Sequence, residues 1–212
     1  MKFINKDTEI FGSFSSKAGN NGCITFNDCF RYYGMNSIYK SFSVDNIELA
    51  VLSARTLNFK GFAVSMPFKR DVIKFIDEVD VDANNIGSVN TVINENGYLV
   101  GYNTDYLAVM EIIEEKEIDN ITILGNGGFA KSVVYACVKL GVKYTQITRK
   151  DWGIIPLIKN TTVINCTPVD NIKFDNTVYF IDGIPTTDTG KYISKKQARY
   201  QFELYTKNKF PL

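Results

Sequence analysis

The feature that most constrains this chain is a strand that runs straight into a glycine-rich turn and a helix. Ile121-Thr122-Ile123-Leu124 is a short strand-forming run, Gly125-Asn126-Gly127-Gly128 follows it, and 130–140 carries a helical pattern closed by Gly141. The spacing Gly125-x-Gly127-x-x-Ala130 is that of a dinucleotide-binding turn with alanine in the third small position. The first glycine permits the tight turn. The second lets a pyrophosphate approach the backbone, and the third small residue lets helix and strand pack. The helix start adds free N–H groups and positive potential. This makes Gly125, Asn126, Gly127, Gly128, Phe129 and Ala130 candidate cofactor contacts. A tight β–α turn with no ligand would look the same.

The end of the next strand bears on which dinucleotide fits. An NAD site usually places an acid there for the ribose hydroxyls. This chain has Thr148-Arg149-Lys150 instead. An arginine can fork onto a 2′-phosphate and a lysine adds charge, which favours NADP. Two solvated surface cations would leave the same trace.

Composition narrows the chemistry. There is no histidine, which removes Ser-His-Asp and Cys-His mechanisms and every His-ligated metal site. Proton transfer is left to Lys, Asp, Glu, Tyr or Cys. Cys23, Cys29, Cys137 and Cys166 form no C-x-x-C pair, so no metal site is expected and the thiols read as small buried hydrophobes. Lys plus Arg is 24 against 23 acids, a net charge of +1 that implies no nucleic-acid partner. The opening from Met1 turns polar by Asn5-Lys6-Asp7, and no apolar run could span a bilayer. A reduced, cytoplasmic protein without a signal peptide is the expectation.

Short strand-like runs alternate with helical patterns along 212 residues, which predicts an α/β chain with mostly parallel sheets. Strands are expected at 36–42, 61–65, 121–124, 144–148, 162–166 and 178–181, with a hairpin at 90–93 and 98–101 around Asn96-Gly97. Helices are expected at 46–57, from Pro67 through 69–76, at 105–117, at 130–140 and from Gly190 onward. A domain boundary is expected between 103 and 120.

A dehydrogenase without histidine needs another group to manage the hydroxyl proton as hydride leaves. A Lys–Asp pair can do this. Lys69 closes the segment GFAVSMPFK just after an expected strand, and Asn90 and Asp105 lie in IGSVNT and GYNTD. Spacing alone does not bring them together, and Lys69 alone would read as a surface lysine.

Taken in order, GFAVSMPFK, IGSVNT, GYNTD and GNGGFA resemble the motifs G-x-N-V-T-x-P-x-K, I-G-A-V-N-T, G-x-N-T-D and G-x-G-G-A of the shikimate dehydrogenase family. VINCTP at 163–168 is similar to that family's N-x-T-P segment, and 190–206 to its closing helix. The resemblance implies an α/β fold: an N-terminal open α/β substrate domain plus a shortened Rossmann-like dinucleotide-binding domain. It implies 1–104 as substrate-binding domain with the catalytic residues, 105–188 as NADP-binding domain and 189–212 as a helix returning to the first. It implies NADP-dependent hydride transfer between a ring hydroxyl of shikimate, or a similar cyclic hydroxy acid, and its 3-dehydro ketone. Lys69 and Asp105 match the catalytic pair, and Asn90, Gln197 and Ser65 match substrate contacts. Gly125, Gly127 and Gly128 match the phosphate loop, Thr148 and Thr167 flank the cofactor site, and Arg149 matches the 2′-phosphate arginine.

The departures matter. The family's S-x-S-P-x-x-H-N motif, counted back from Asn27, puts Asn20 and Gly22 in the serine places and Phe26 in the histidine place. Ser13 and Ser15 form an S-x-S seven residues too early. Losing two serine donors weakens the grip on a carboxylate, by roughly 1.5–3 kcal/mol for each charge-assisted bond. Ala63 and Ser65 replace the Asn and Thr of the first motif, and with the FELYT ending they look like the shikimate dehydrogenase-like subgroup, whose substrate the resemblance leaves open. Only twelve residues, 150–161, stand where relatives place a helix and a strand, and the sequence stops six residues after Thr206, where relatives continue. A cofactor domain of about four strands is expected. Two other readings stay open: a small-molecule or nucleotide-binding relative with little or no turnover, and a quinate-type or amino-sugar dehydrogenase on the same scaffold. A monomer or homodimer with no membrane partner is expected.

Overall fold

In the computed structural model, which describes residues 4–211, ten strands alternate with six α-helices. The part of the opening that comprises Met1 to Phe3 lies outside the described residues. The order is β1 (Glu9–Ser15), α1 (Asn21–Tyr32), β2 (Ser37–Ser43), α2 (Ile47–Thr56), β3 (Gly61–Val64), β4 (Glu78–Val79), α3 (Val81–Ile86), β5 (Thr91–Glu95) and β6 (Tyr98–Tyr102). Then come α4 (Asp105–Glu115), β7 (Asn120–Leu124), α5 (Gly128–Leu140), β8 (Lys143–Ile147), β9 (Thr162–Asn165), β10 (Tyr179–Asp182) and α6 (Asp188–Thr206). Contacts divide the chain into two units. The first runs to Thr104 and resumes at Ala198; the second is Asp105–Gln197. No helix among the described residues is long and apolar enough to cross a membrane.

The first unit holds a six-stranded sheet in the order β2-β1-β3-β5-β6-β4. β2, β1 and β3 run parallel, whereas β5 is antiparallel to both β3 and β6. β4 runs parallel to β6, so the exceptions to the mostly parallel expectation are the two pairings of β5, one of them the expected hairpin. The cause is local: Asn96 (φ 55) and Gly97 (φ 97) form a two-residue turn, which can join only antiparallel neighbours. β1 went unforeseen because its serines and Gly12 interrupt the apolar pattern. Its two phenylalanines serve opposite faces. Phe14 packs on Phe42, Phe59 and Phe62, and Phe11 on Phe30 and Tyr205. Gly12 is required because a Cβ there would sit 2.8 Å from the Lys40 carbonyl oxygen. The unforeseen α1 is tied to β2 by Asn27, whose Nδ2 donates to the Tyr39 carbonyl at 2.9 Å while its Oδ1 accepts from the Tyr39 N–H at 2.9 Å.

The helix expected from Pro67 through 76 does not form. The chain turns after a cis Met66–Pro67 bond and makes only a short 3₁₀ stretch at Asp71–Phe75. The Lys69 carbonyl, which a helix would use internally, instead accepts from the Val89 N–H at 2.8 Å. That long-range bond takes the acceptor out of the ladder.

The second unit is a four-stranded, all-parallel sheet in the order β10-β9-β7-β8, the size expected from the short 150–161 segment. That segment makes a 3₁₀ stretch at Arg149–Leu157. Ile121, Ile123 and Ile164 pack with Ile113, Val133 and Cys137 in one core, while Leu124, Ile147, Val163 and Ile155 form the other, bordered by Trp152 and Phe180. Within this unit α6 is fastened to α4 through Lys196, whose Nζ lies 2.6 Å from both Glu111 Oε1 and Glu115 Oε1.

Two predictions follow from these contacts. Burial pushes the Cys29 and Cys137 thiols up to about 11, so little thiolate exists at neutral pH. A thiol reagent applied to native protein at pH 7 therefore spares both, reaching at most the half-buried Cys23 and Cys166, and mass spectrometry finds all four labelled only after unfolding. The second concerns Lys196→Met. Burial alone would lower the Lys196 ammonium, but its hydrogen bonds to Glu111, Glu115 and Tyr192 outweigh this and hold it above its ordinary value. The Lys196 hydrogen bond holds the Glu115 carboxyl below the usual carboxylate range. A carboxyl lowered on folding stabilises above its unfolded pKa, and that contribution is lost as pH falls through its folded value. Lys196→Met lowers the thermal midpoint at pH 7, and the deficit shrinks on acidification through the carboxylate range.

Candidate active site

In the first unit the site begins at Asn90, which is fully buried where the chain enters β5. Its Oδ1 accepts from the Thr104 N–H at 2.8 Å and from the Thr91 hydroxyl at 2.8 Å. Its Nδ2 donates to Thr104 Oγ1 at 3.0 Å. Gln201, also buried, reaches in from α6: its Nε2 donates to the Asn90 carbonyl at 3.2 Å and to Thr91 Oγ1 at 2.9 Å. Beside them Asn103 Nδ2 donates to the Ser88 carbonyl at 2.8 Å. Three chain segments thus share one buried polar network, which a low-dielectric interior makes strong when satisfied and costly when broken. The network fixes Thr104, and Asp105 is the next residue. Asp105 opens α4 and is 2% exposed, an acid at the positive end of a helix.

Lys69 lies in the turn after β3, half-buried, and the bond from its carbonyl to Val89 sets it beside the segment that carries Asn90. Ser65 is exposed at the end of β3, and its N–H donates to the Phe14 carbonyl at 2.9 Å. Ser13 and Ser15 lie on β1, on the same face as Phe11. Burial pushes the Tyr39 hydroxyl above its ordinary range, against the opposing hydrogen bond with Ser13. Asn20 is exposed at the start of α1 and makes no side-chain cap. Gly22 leans on Tyr39: a Cβ there would lie 2.9 Å from the ring. Gln197 is half-buried on α6, one helical turn before Gln201 and on the same face. Sequence reasoning singled out Gln197 and missed Gln201, although the four-residue spacing was a usable signal.

The second unit holds the glycine turn. Gly125 has φ +105 and a Cβ there would meet Thr167 Cγ2 at 2.9 Å, so only glycine fits between this strand end and the Thr167 loop. Nothing lies within 4 Å of a Cβ built on Gly127. Gly127 is exposed and caps α5 with no side chain, which leaves the first-turn N–H groups around Gly128, Phe129 and Ala130 facing outward from the turn. A cradle closed on one side and open on the other suits a pyrophosphate. Two residues the sequence did not flag support it. Gln146 Nε2 donates to the Gly125 carbonyl at 2.7 Å. Asn165, fully buried, accepts at Oδ1 from the Thr167 N–H at 3.0 Å and hydroxyl at 2.7 Å, fixing the loop that faces Gly125. Asn126 is exposed on the turn. Past β8, the Thr148 hydroxyl donates to Asp151 Oδ2 at 3.0 Å, which turns that acid back on the chain. Arg149 beside it is exposed and forms no ion pair among the described residues. These residues could hold the phosphates of NADP. No group of Cys, Asp or Glu among the described residues could hold a metal ion.

The substrate binding domain model of shikimate dehydrogenase matches residues 22–92. A solved structure of a shikimate 5-dehydrogenase-like protein is 30% identical, with a TM-score of 0.81 over 99% of this chain and 95% of that one. The chain belongs to the shikimate dehydrogenase family. The shikimate dehydrogenase-like protein of Haemophilus influenzae is 41% identical over 147 residues, which is 68% of this chain and 54% of that protein. The NADP(+) shikimate dehydrogenase of Pyrococcus furiosus is 39% identical over 142 residues, 65% of this chain and 52% of that one. The chain spans about half the length of the curated relatives it matches. With this family comes the fold: a mixed α/β first unit and a four-stranded Rossmann-like unit.

Asn90→Ala should cost about 1–3 kcal/mol for each buried partner it strands, the Thr104 N–H foremost. Urea unfolding measures this as a lower midpoint at unchanged slope, whereas exposed Asn20→Ala leaves the midpoint within about 0.5 kcal/mol of wild type.

Proposed function

We propose that the protein is an NADP-dependent oxidoreductase of the shikimate dehydrogenase type. It passes hydride between a ring hydroxyl of shikimate, or a similar cyclic hydroxy acid, and the corresponding 3-dehydro ketone. The observation that carries the reading is the cradle at Gly125–Gly128, where one glycine has no room for a side chain and the next faces open space. Relatives named for NADP and shikimate support the choice of cofactor and substrate.

In this reading NADP supplies the hydride acceptor when bound. Gly125, Asn126, Gly127, Gly128, Phe129 and Ala130 hold its pyrophosphate through backbone N–H groups. Arg149 forks onto the 2′-phosphate, with Thr148 and Thr167 on either side of the cradle. Asn90, Gln197 and Ser65 bind polar groups of the substrate, with Asn20 and Gly22 toward its acid group. Lys69 and Asp105 hold the hydroxyl that is oxidised. As the carbon loses hydride, its hydroxyl proton passes to this pair, and in reduction the pair returns it. Residues 1–104 form the substrate domain, 105–188 the cofactor domain and 189–212 the returning helix. A cytoplasmic monomer or homodimer completes the reading.

Initial rates of NADPH formation with shikimate test it. Lys69→Met and Asp105→Asn each lower kcat about 10²–10⁴-fold, the usual worth of a positioned proton-transfer group, and leave the fold intact by circular dichroism. Wild-type protein that forms no NADPH from shikimate, quinate or related ring acids would overturn the proposal.

A further inference from the structure

We propose that Asn126 is a site of spontaneous modification: its side chain closes onto the Gly127 nitrogen, loses ammonia and leaves a negative charge in the glycine cradle. The chemistry is local and needs only water. The Gly127 amide nitrogen attacks Asn126 Cγ; the N–Cγ bond forms and the Cγ–Nδ2 bond breaks. Ammonia leaves with the hydrogen that the Gly127 nitrogen gives up, and a five-membered imide remains. Water then opens the imide at either carbonyl, which gives aspartate or isoaspartate at this position. Both carry a carboxylate where the asparagine was neutral.

Asn-Gly occurs three times in the chain, at Asn21, Asn96 and Asn126. The structure separates them. Asn21 is the first residue of α1, and a Cβ on Gly22 would lie 2.9 Å from the Tyr39 ring, so ring closure there has to break a helix start in a crowded place. Asn96 is held at φ 55 in the hairpin turn, and the Gly97 N–H is committed to Asn94 Oδ1 at 2.6 Å. Asn126 has neither restraint. It is exposed and lies outside helix and strand. Neither its side chain nor the Gly127 N–H has a hydrogen-bond partner among the described residues. Nothing lies within 4 Å of a Cβ built on Gly127, so the ring has room to form. On one side Gln146 holds the Gly125 carbonyl, and on the other α5 begins at Gly128, so the new carboxylate stays at the turn.

The consequence for nucleotide binding rests on the proposed function. A pyrophosphate seated on the N–H groups of the cradle would face the new carboxylate, and like charges repel. In return, a phosphate oxygen that accepts the Gly127 N–H takes the attacking nitrogen out of the reaction. Protein without nucleotide therefore loses cofactor affinity as it ages, and loaded protein keeps it.

The test incubates wild type, Asn126→Gln and Asn126→Asp at 37 °C and mildly alkaline pH, with and without saturating NADPH. Peptide mapping by mass spectrometry follows amide-to-acid conversion at positions 21, 96 and 126, and fluorescence titration gives the Kd for NADPH. Without nucleotide, position 126 converts severalfold faster than the other two, and NADPH slows it without slowing position 96. The Kd of aged wild type rises about tenfold, toward that of fresh Asn126→Asp, and high salt narrows the difference. Asn126→Gln, whose longer side chain closes slowly, keeps its own starting Kd throughout. Conversion at 126 no faster than at 21 or 96 overturns the proposal, as does a Kd that conversion leaves unchanged or equal conversion in the loaded protein. Fresh wild type that binds no NADPH defeats the proposed function instead. The mapping then decides alone: conversion at 126 ahead of the other two supports the site, and any other order overturns it.

Discussion

Buried Asn90, through its side-chain amide and its backbone carbonyl, is the residue on which the first unit depends. It joins residues far apart in sequence: the entry to β5, the exit of β6 at Thr104, and α6 through Gln201, 111 residues away. The apolar contacts of α6, such as Phe202 near Phe30, set how closely the helix approaches. They do not set its rotation, because dispersion is not directional. Hydrogen bonds from Gln201 to a backbone carbonyl and a threonine hydroxyl do. The side-chain amide of Asn90 holds Thr104 while its backbone carbonyl takes Gln201, so one residue ties the exit of β6 to the returning end of α6 within the first unit. Such a network stabilises only when every member is satisfied, which explains why four polar side chains can sit in this interior.

The second unit solves a different problem with fewer parts. Its sheet has four strands and must still place a strand end, a glycine turn and a helix start in register. Parallel pairing of β7 with β8 and β9 does this, and two amides finish it: Gln146 takes the Gly125 carbonyl and Asn165 braces the Thr167 loop. The 3₁₀ stretch after β8 covers one face of this sheet with Ile155 and Trp152. β8 is an edge with largely exposed polar side chains, including Lys143, the usual guard against strand addition.

What the sequence made legible was local. The glycine turn, the Asn96-Gly97 hairpin and the Gly141 helix end (φ 68) each need a backbone shape that few residues adopt, so the residues announce the shape. Strands β7, β9 and β10 were legible as compact apolar runs. What was missed depended on distant partners. β1 looks polar because Ser13 and Ser15 alternate with Phe14 and Gly12, and only pairing to both β2 and β3 makes it a central strand. The 67–76 segment has a helical pattern, yet Val89 claims the Lys69 carbonyl. Gln201 carried the right spacing from Gln197, but its worth lies in a carbonyl and a hydroxyl that no local window contains.

The central claim is that the pared second unit still works as an NADP site. Fluorescence titration of the purified protein with NADPH, and with NADH in parallel, tests it most directly. The account predicts saturable enhancement of nicotinamide fluorescence, tighter for NADPH, with the preference erased in Arg149→Ala. No binding of either nucleotide at millimolar concentration would contradict it.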